Sequence, residues 1–193
     1  MSRPLEFSKG EAIARAMELF WRKGYEATSI DDLTRSLGIG RASLYNAFGD
    51  KRGVLMEALA QYGDASCTAL RSFVARPGTG REGVEALLGW LQEDACADRH
   101  PKGCFFLTMA TELREEDSEV MARVNAGLQE IERTFVVLLE RGREDGSVPR
   151  RVQVGPTARL LTGVVVAVRT LSRVGADPAI IETMVDAGER ALD

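Results

Sequence analysis

Three reactive side chains are spaced four residues apart near the middle of the sequence, Cys96, His100 and Cys104. On an uninterrupted helix this spacing would place two thiols and one imidazole on one face, a set that can bind zinc. Pro101 and Gly103 interrupt the helix, so we expect no metal site. The chain has one histidine, no glycine-rich phosphate loop and no paired-acid motif, so we expect neither an enzyme nor a cofactor.

Cys104 could also act alone. Near the start of a predicted helix and beside Lys102 and His100, its thiolate form would be favoured and could react with soft electrophiles. The alternative is an inert cysteine packed beside Phe105 and Phe106. The sequence leaves both interpretations open.

A different chemistry is indicated by residues 28–51, TSIDDLTRSLGIGRASLYNAFGDK. Two short helices flank LGIG, and Gly38 permits the tight turn between them, which is the pattern of a helix-turn-helix. Thr28 or Ser29 caps the first of these helices. The residues predicted to pack inward are Ile30, Leu33, Leu37, Ile39 and Leu44, and those predicted to face outward are Arg41, Ala42, Ser43, Tyr45 and Asn46.

The outward residues are suited to DNA. Arginine can donate two hydrogen bonds to guanine, asparagine can pair with adenine, and an alanine methyl can meet a thymine methyl. Hydroxyl and lysine side chains more often contact phosphates. In the alternative interpretation Tyr45 and Phe48 are core aromatics and Arg41 is a solvated surface charge; for Phe48 we expect the core.

Charge is distributed unevenly along the 193 residues. Residues 1–52 contain nine Lys and Arg against seven Asp and Glu, a net charge of +2, whereas the remainder carries −6. Such a chain directs DNA toward its first fifty residues. The charged N-terminus and the lack of a long apolar run predict neither a secretory signal nor a membrane span. Three cysteines, an odd number without a regular framework, favour a reducing, cytoplasmic location.

Apolar residues recur at helical spacing almost throughout, which predicts an all-α chain of about nine helices. Ser8 and Glu11 form the pattern of a capping box before the first helix, which ends at Gly24. The predicted later helices cover 41–47, 51–76, 81–98, 103–115, 117–144, 155–174 and 177–192. We expect a DNA-binding domain over residues 1–52 and a ligand-binding and dimerisation domain over residues 53–193.

The spacing of residues 8–58 resembles, without gaps, the N-terminal signature of the tetracycline-repressor (TetR) family. The matching residues are Phe20, Gly24, Tyr25, Thr28, Ile30, Leu33, Gly38, Leu44, Tyr45, Phe48, Lys51 and Leu55. The resemblance implies a three-helix DNA-binding head, a homodimer, and a divergent body that binds a small-molecule effector and thereby relieves repression.

By the same resemblance, phosphate contacts are expected from Thr28, Ser43, Tyr45 and Lys51, with Ser29 at the same helix start. The groove-facing residues would be Gly40, Arg41, Ala42 and Asn46, and Arg3 could serve as an N-terminal arm. Asn46 departs from the aromatic residue or histidine common at its position, so no base preference is transferred.

The two terminal helices are strongly apolar, and in the family such helices form a four-helix bundle across a two-fold axis, which suits a palindromic operator. The candidate interface residues are Leu160, Leu161, Gly163, Val164, Val165, Ala167, Val168, Ile181, Met184, Val185 and Gly188. The alternative is that these side chains are buried within one chain.

An effector cavity could be lined by aromatic and methionine side chains, although such residues are more often ordinary core. The candidates are Phe73, Trp90, Cys104, Phe105, Phe106, Met109, Met121 and Phe135. The Gly103 and Cys104 pair also resembles a TetR subgroup that includes repressors responding to electrophiles, aldehydes and acrylate-like compounds.

Overall fold

The computed structural model describes residues 8–97, 103–113 and 117–193. Within these ranges every regular element is an α-helix, which confirms the predicted all-α fold with nine helices. The helices are α1 Lys9–Lys23, α2 Ile30–Leu37, α3 Arg41–Phe48, α4 Lys51–Ala75, α5 Gly80–Ala97, α6 Phe105–Leu113, α7 Ser118–Asp145, α8 Val154–Arg173 and α9 Pro178–Arg190. Most predicted boundaries agree to within one or two residues.

The first helix begins where its sequence predicts. The backbone N–H of Glu11 donates to the Ser8 side chain at 3.4 Å, and the apolar stripe of α1 is buried, with Phe20 fully inaccessible. Gly24 ends the helix with φ of 87°, a value that glycine adopts without strain.

The second helix is capped by Ser29, which decides between the two candidate caps. The Ser29 hydroxyl accepts from the Asp32 N–H at 3.1 Å, while the Asp32 carboxylate accepts from the Ser29 N–H at 3.0 Å, a complete capping box. Gly38 then ends α2 in the left-handed conformation, φ 71° and ψ 28°, as the tight turn requires. Gly40 is the N-cap of α3.

By packing, the chain divides into two units. The first comprises Met1–Asp64 and Phe105–Arg123, and the second, which we call the body, comprises Ala65–Cys104 and Val124–Asp193. This division falls within α4 and places α6 and the start of α7 with the first unit. The domain boundary expected after residue 52 stays a prediction.

In the first unit α1 packs on α2 and α2 packs on α3. A group of aromatic rings joins α1, α4 and α6: the ring of Tyr62 lies 5.4 Å from Trp21, 5.7 Å from Phe105 and 4.9 Å from Phe106, mostly edge to face. These contacts explain why α6 belongs to this unit.

The body core lies between α5, α8 and α9, which pack on one another, together with parts of α4 and α7. By length and composition alone α8 is long and apolar enough to cross a membrane, with 28% of its most apolar window buried. One such helix is weak support for a membrane span. The Arg169 guanidinium of α8 pairs with Asp94 of α5 and lies over the Trp90 ring, 5.1 Å from its centroid.

Candidate nucleic-acid interface

Helix α3 presents its two faces as the sequence predicts. Leu44 is fully buried and Phe48 is nearly so, which confirms Phe48 as a core residue. The outward residues Arg41, Ala42, Ser43, Tyr45 and Asn46 are all exposed, and Tyr45 retains 48% of its accessible surface. The interpretation of Tyr45 as a core aromatic is therefore wrong.

The start of α3 is open to an incoming acceptor. Its N-cap residue, Gly40, offers no side-chain hydrogen bond to the N–H groups of the first turn. Unpaired N–H groups and the helix dipole together make such a start a favourable place for a phosphate oxygen. Gly40 and Ser43 are exposed there.

Arg41, the first residue of α3, is held by an acid of α2. Its Nε donates to Asp31 Oδ1 at 3.0 Å, and its Nη2 donates to Oδ1 at 2.7 Å and to Oδ2 at 2.8 Å. These hydrogen bonds raise the pKa of Arg41 above its ordinary value. The sequence indicated Asp31 only as a first-turn acid, because the ten-residue separation from Arg41 gave no sign that they meet.

Thr28 has a structural role in place of the expected phosphate contact. It is 1% exposed, and its hydroxyl donates to the Gly24 carbonyl at 2.5 Å, across the turn between α1 and α2. A phosphate cannot reach a side chain buried in this way. Ser29 is exposed, although its hydroxyl also donates to Asp32 Oδ2 at 2.7 Å.

Lys51 lies half-buried at the first turn of α4. Its Nζ donates to the Tyr25 carbonyl at 2.9 Å and stands 4.2 Å from the centroid of the Tyr25 ring. An ammonium has three donors, so these contacts fix its position and leave donors for a phosphate. Burial, followed by the charge of Asp50, raises the pKa of Tyr25. Tyr25 belongs to the matched signature, but its role in holding Lys51 was not predicted.

Several basic residues of the first unit are already neutralised. Arg52 Nη2 lies 2.9 Å from both Asp117 and Glu119, Lys9 pairs with Glu57, and Lys23 pairs with Asp32. These ion pairs raise the pKa of Arg52. Fewer cations of residues 1–52 are therefore available to contact DNA than the composition of this segment suggests. Arg3, the predicted arm, lies outside the described residues.

The predicted effector residues are divided between the two units. Phe73, Trp90, Cys104 and Phe135 belong to the body, whereas Phe105, Phe106, Met109 and Met121 belong to the first unit. Phe73 and Phe135 are core residues, and Trp90 is partly exposed with its ring 5.7 Å from that of Phe73. Neither unit gathers all the predicted residues into one cavity.

None of the three cysteines, which all lie in the described residues, forms a disulfide, and Cys104 is partly accessible just before α6. Cys96 is exposed near the end of α5, and His100 lies outside the described residues. Within the described ranges no three His, Cys, Asp or Glu residues are grouped to hold a metal ion. The thiol hypothesis therefore depends on Cys104 alone.

Most of the predicted dimer residues are buried within the chain itself. Gly188, for example, packs so closely that an added Cβ would lie 3.3 Å from Leu161 and 3.4 Å from Leu88. The residues that the body buries are Leu161, Val164, Val165, Val168, Ile181, Val185 and Gly188, so these belong to the core of one chain. Among the predicted residues, the accessible ones are Leu160, Gly163, Ala167 and Met184.

The accessible positions recur every three or four residues on the outer side of each terminal helix. We call them the α8–α9 stripe, and they are Leu160, Gly163 and Ala167 on α8 and Ile180, Met184 and Ala187 on α9. Leu160 is 54% exposed and Ile180 is 47% exposed. An added Cβ at Gly163 would meet nothing within 4 Å.

Two family models match the chain. The model described as bacterial regulatory proteins, tetR family, matches residues 12–58, and the tetracyclin repressor-like C-terminal domain matches residues 81–187. The two matches together include residues of both units.

Similar proteins extend over nearly the whole chain. YezE of Bacillus subtilis, an uncharacterised HTH-type transcriptional regulator, is 29% identical and covers 100% of both chains. The HTH-type transcriptional repressor ComR of Escherichia coli is 27% identical over 90% of this chain and 83% of its own. A cysteine mutant of the TetR family regulator CifR, solved with 26bp double-strand operator DNA, is 30% identical with a TM-score of 0.82, covering 98% of each chain.

Proposed function

Since the chain belongs to the TetR family of bacterial transcriptional regulators, we propose that it represses transcription as a cytoplasmic homodimer and is released from a palindromic operator by a small-molecule effector. The observation that carries the proposal is the outward face of α3, where the predicted residues Arg41, Ala42, Ser43, Tyr45 and Asn46 are all exposed after the glycine turn that joins α2 to α3.

On double-stranded DNA, α3 enters the major groove as the recognition helix. Arg41, Ala42 and Asn46 contact base edges, while Ser43, Tyr45 and Lys51 contact phosphates. Gly40 allows the backbone to approach the DNA at the start of α3. The CifR mutant solved with operator DNA supports this assignment because its chain shares 30% of its residues with this one.

Dimerisation joins the α8–α9 stripes of two copies. A single chain leaves Leu160 and Ile180 about half exposed, and an apolar surface of this kind is stabilised by a partner. Gly163 permits a close approach between helices because nothing occupies the space beside it. A two-fold dimer presents two recognition helices to two half-sites.

The effector binds in the body and shifts its conformation toward one in which the two heads no longer fit the operator. Such a shift requires a difference in affinity between the two conformations. Trp90 is the aromatic side chain of the predicted set that remains accessible, so we expect its fluorescence to respond to the effector.

The DNA surface can be tested by operator titration at several salt concentrations. Tyr45→Ala should lower operator affinity by roughly tenfold without changing the salt slope, because tyrosine contributes a neutral phosphate contact. Lys51→Ala should lower affinity and reduce the salt slope by about one, because one counterion fewer is released.

Arg76→Ala, which removes an exposed cation just after α4 and outside this surface, serves as the control. Unchanged affinity and unchanged slopes for both Tyr45→Ala and Lys51→Ala would show that the proposed docking surface is wrong. A far-UV spectrum of each variant checks that the helices are retained.

A second candidate is regulation by a thiol. It is supported by the position of Cys104, partly accessible immediately before α6, and by the cysteine mutants of CifR that were solved with operator DNA. Alkylation of the wild type by N-ethylmaleimide should then weaken operator binding, whereas alkylation of Cys104→Ser should have little effect.

Cys96→Ser is the matched control, because it removes a more exposed thiol of the same chain. If alkylation weakens operator binding by the wild type and by Cys104→Ser equally, Cys104 is not the sensor.

A further inference from the structure

We infer that Asp31 is a positioning residue for DNA recognition, which holds Arg41 in the conformation that reads a guanine. This inference rests on the proposed function, in which Arg41 contacts a base edge. Asp31 lies on α2 and acts through Arg41, without a contact of its own to the base.

The pairing uses only one edge of the guanidinium. Asp31 accepts from Nε and Nη2 of Arg41, at 2.7–3.0 Å. A guanidinium has a second edge, formed by Nη1 and the other N–H of Nη2, on which two parallel donors remain. Those two donors match the N7 and O6 acceptors of guanine, so the paired arginine can still read the base.

The position of Arg41 in its helix is electrostatically unfavourable unless an acid outside that helix compensates for it. It occupies the first turn of α3, where the helix dipole disfavours a cation. The Asp31 carboxylate, in the first turn of α2, compensates for this and narrows the rotamers that a long arginine side chain would otherwise sample.

Two neighbouring acids of α2 thus have different roles. Asp32 forms the capping box with Ser29 and pairs with Lys23, so its carboxylate is committed to the fold. Among the described residues, the Asp31 carboxylate accepts hydrogen bonds from Arg41 alone, and both side chains are exposed, 58% for Asp31 and 63% for Arg41. An ion pair this exposed adds little to the stability of the fold. Replacing Asp31 should therefore affect DNA recognition rather than folding.

The experiment measures the ratio of affinities for operator and for scrambled DNA of the same length, using the full chain. Arg41→Ala should lower this ratio by roughly tenfold or more, the loss expected of one bidentate base contact, and Asp31→Asn by about threefold to fivefold. Asp31→Glu, which keeps the carboxylate, should restore part of the loss. In the Arg41→Ala background, Asp31→Asn should change the ratio no further, because Asp31 acts through Arg41.

Glu11→Gln is the matched control, since it also removes one exposed negative charge from the first turn of a helix. Removal of negative charge alone strengthens binding to any DNA and leaves the ratio unchanged. If Asp31→Asn raises the ratio or leaves it unchanged while Arg41→Ala lowers it, the inference is overturned. If Arg41→Ala itself leaves the ratio unchanged, the proposed base contact is wrong, which is a separate failure.

Discussion

The outward face of α3 and the α8–α9 stripe are both accessible in one chain, but their chemistry differs. The first carries a guanidinium, a phenol, an amide and a hydroxyl on eight residues, and the second carries leucine, isoleucine and small residues at helical spacing. Accessible polar groups on a short helix retain water that a nucleic acid can replace, whereas accessible apolar groups favour burial by another chain. This difference in chemistry supports the proposal that the outward face of α3 binds DNA and that the α8–α9 stripe binds a second copy.

The largest expected effect comes from placing a charge in the stripe. Leu160→Glu should convert the dimer to a monomer, because dimerisation would bury an unpaired carboxylate. Loss of the second head should lower operator affinity by roughly a hundredfold or more, since two linked heads gain at least that factor. Sedimentation and operator titration of the same sample measure both effects.

Val137→Glu is the matched control, because Val137 is 45% exposed on α7 and lies outside the stripe. A Leu160→Glu protein that remains dimeric would assign dimerisation to another surface. It would also contradict the proposal that the α8–α9 stripe, unlike the outward face of α3, binds a second copy.

A medium effect is expected from two glycines of the terminal helices. Gly188→Leu should destabilise the body by about 1–3 kcal/mol, because the new side chain must enter space already filled by Leu161 and Leu88. Gly163→Leu should leave the fold intact, because its surroundings are open, but should weaken dimerisation by preventing close approach.

Both glycine variants should be unfolded with urea in the monomeric Leu160→Glu background, so that folding is measured without dimerisation. Equal loss of stability in the two variants would contradict the assignment of Gly188 to the core and Gly163 to the interface.

The smallest effect is expected from one acid in each unit whose carboxylate accepts several hydrogen bonds. Hydrogen bonds from Lys23 and from Ser29 lower the pKa of Asp32 in the first unit, and hydrogen bonds from Ser147 and Gly80 lower that of Asp145 in the body. Because the folded pKa lies below the unfolded value, each acid stabilises the fold above about pH 4 and loses this contribution as pH falls further.

The free energy of unfolding in urea should therefore be larger for the wild type than for Asp32→Asn or Asp145→Asn. This difference should be constant near neutral pH and should shrink between about pH 4 and pH 2.5. A difference that stays constant throughout this range, or widens toward low pH, would contradict the stabilising role of the carboxylates.

The sequence predicted the α3 face closely because helical spacing, together with residue type, separated its two sides. Leu44 is apolar and is buried, whereas Arg41 and Asn46 are polar and are exposed. The glycine turn at Gly38 was also predicted, since it has a local conformational cause, whereas the cap of α2 was predicted only as Thr28 or Ser29 and the structure selects Ser29. What the sequence could not show is contact between distant residues, such as Asp31 with Arg41 and Tyr25 with Lys51.

The body was harder to predict for a physical reason. On α8 and α9 an apolar residue can face either the core or a partner, and helical spacing is satisfied in both cases. Leu160 and Leu161 are adjacent and chemically identical, yet the first is about half exposed and the second is fully buried. Only the packing of α5 against α8 and α9 separates them.

The most direct test of the central claim is selection of DNA from a random double-stranded library by the wild type and by an Arg41→Ala, Tyr45→Ala double variant. We predict that the wild type enriches a palindrome with half-sites about one helical turn apart, and that the double variant enriches no common sequence. Enrichment of the same palindrome by both proteins would contradict the claim that the outward face of α3 reads the operator.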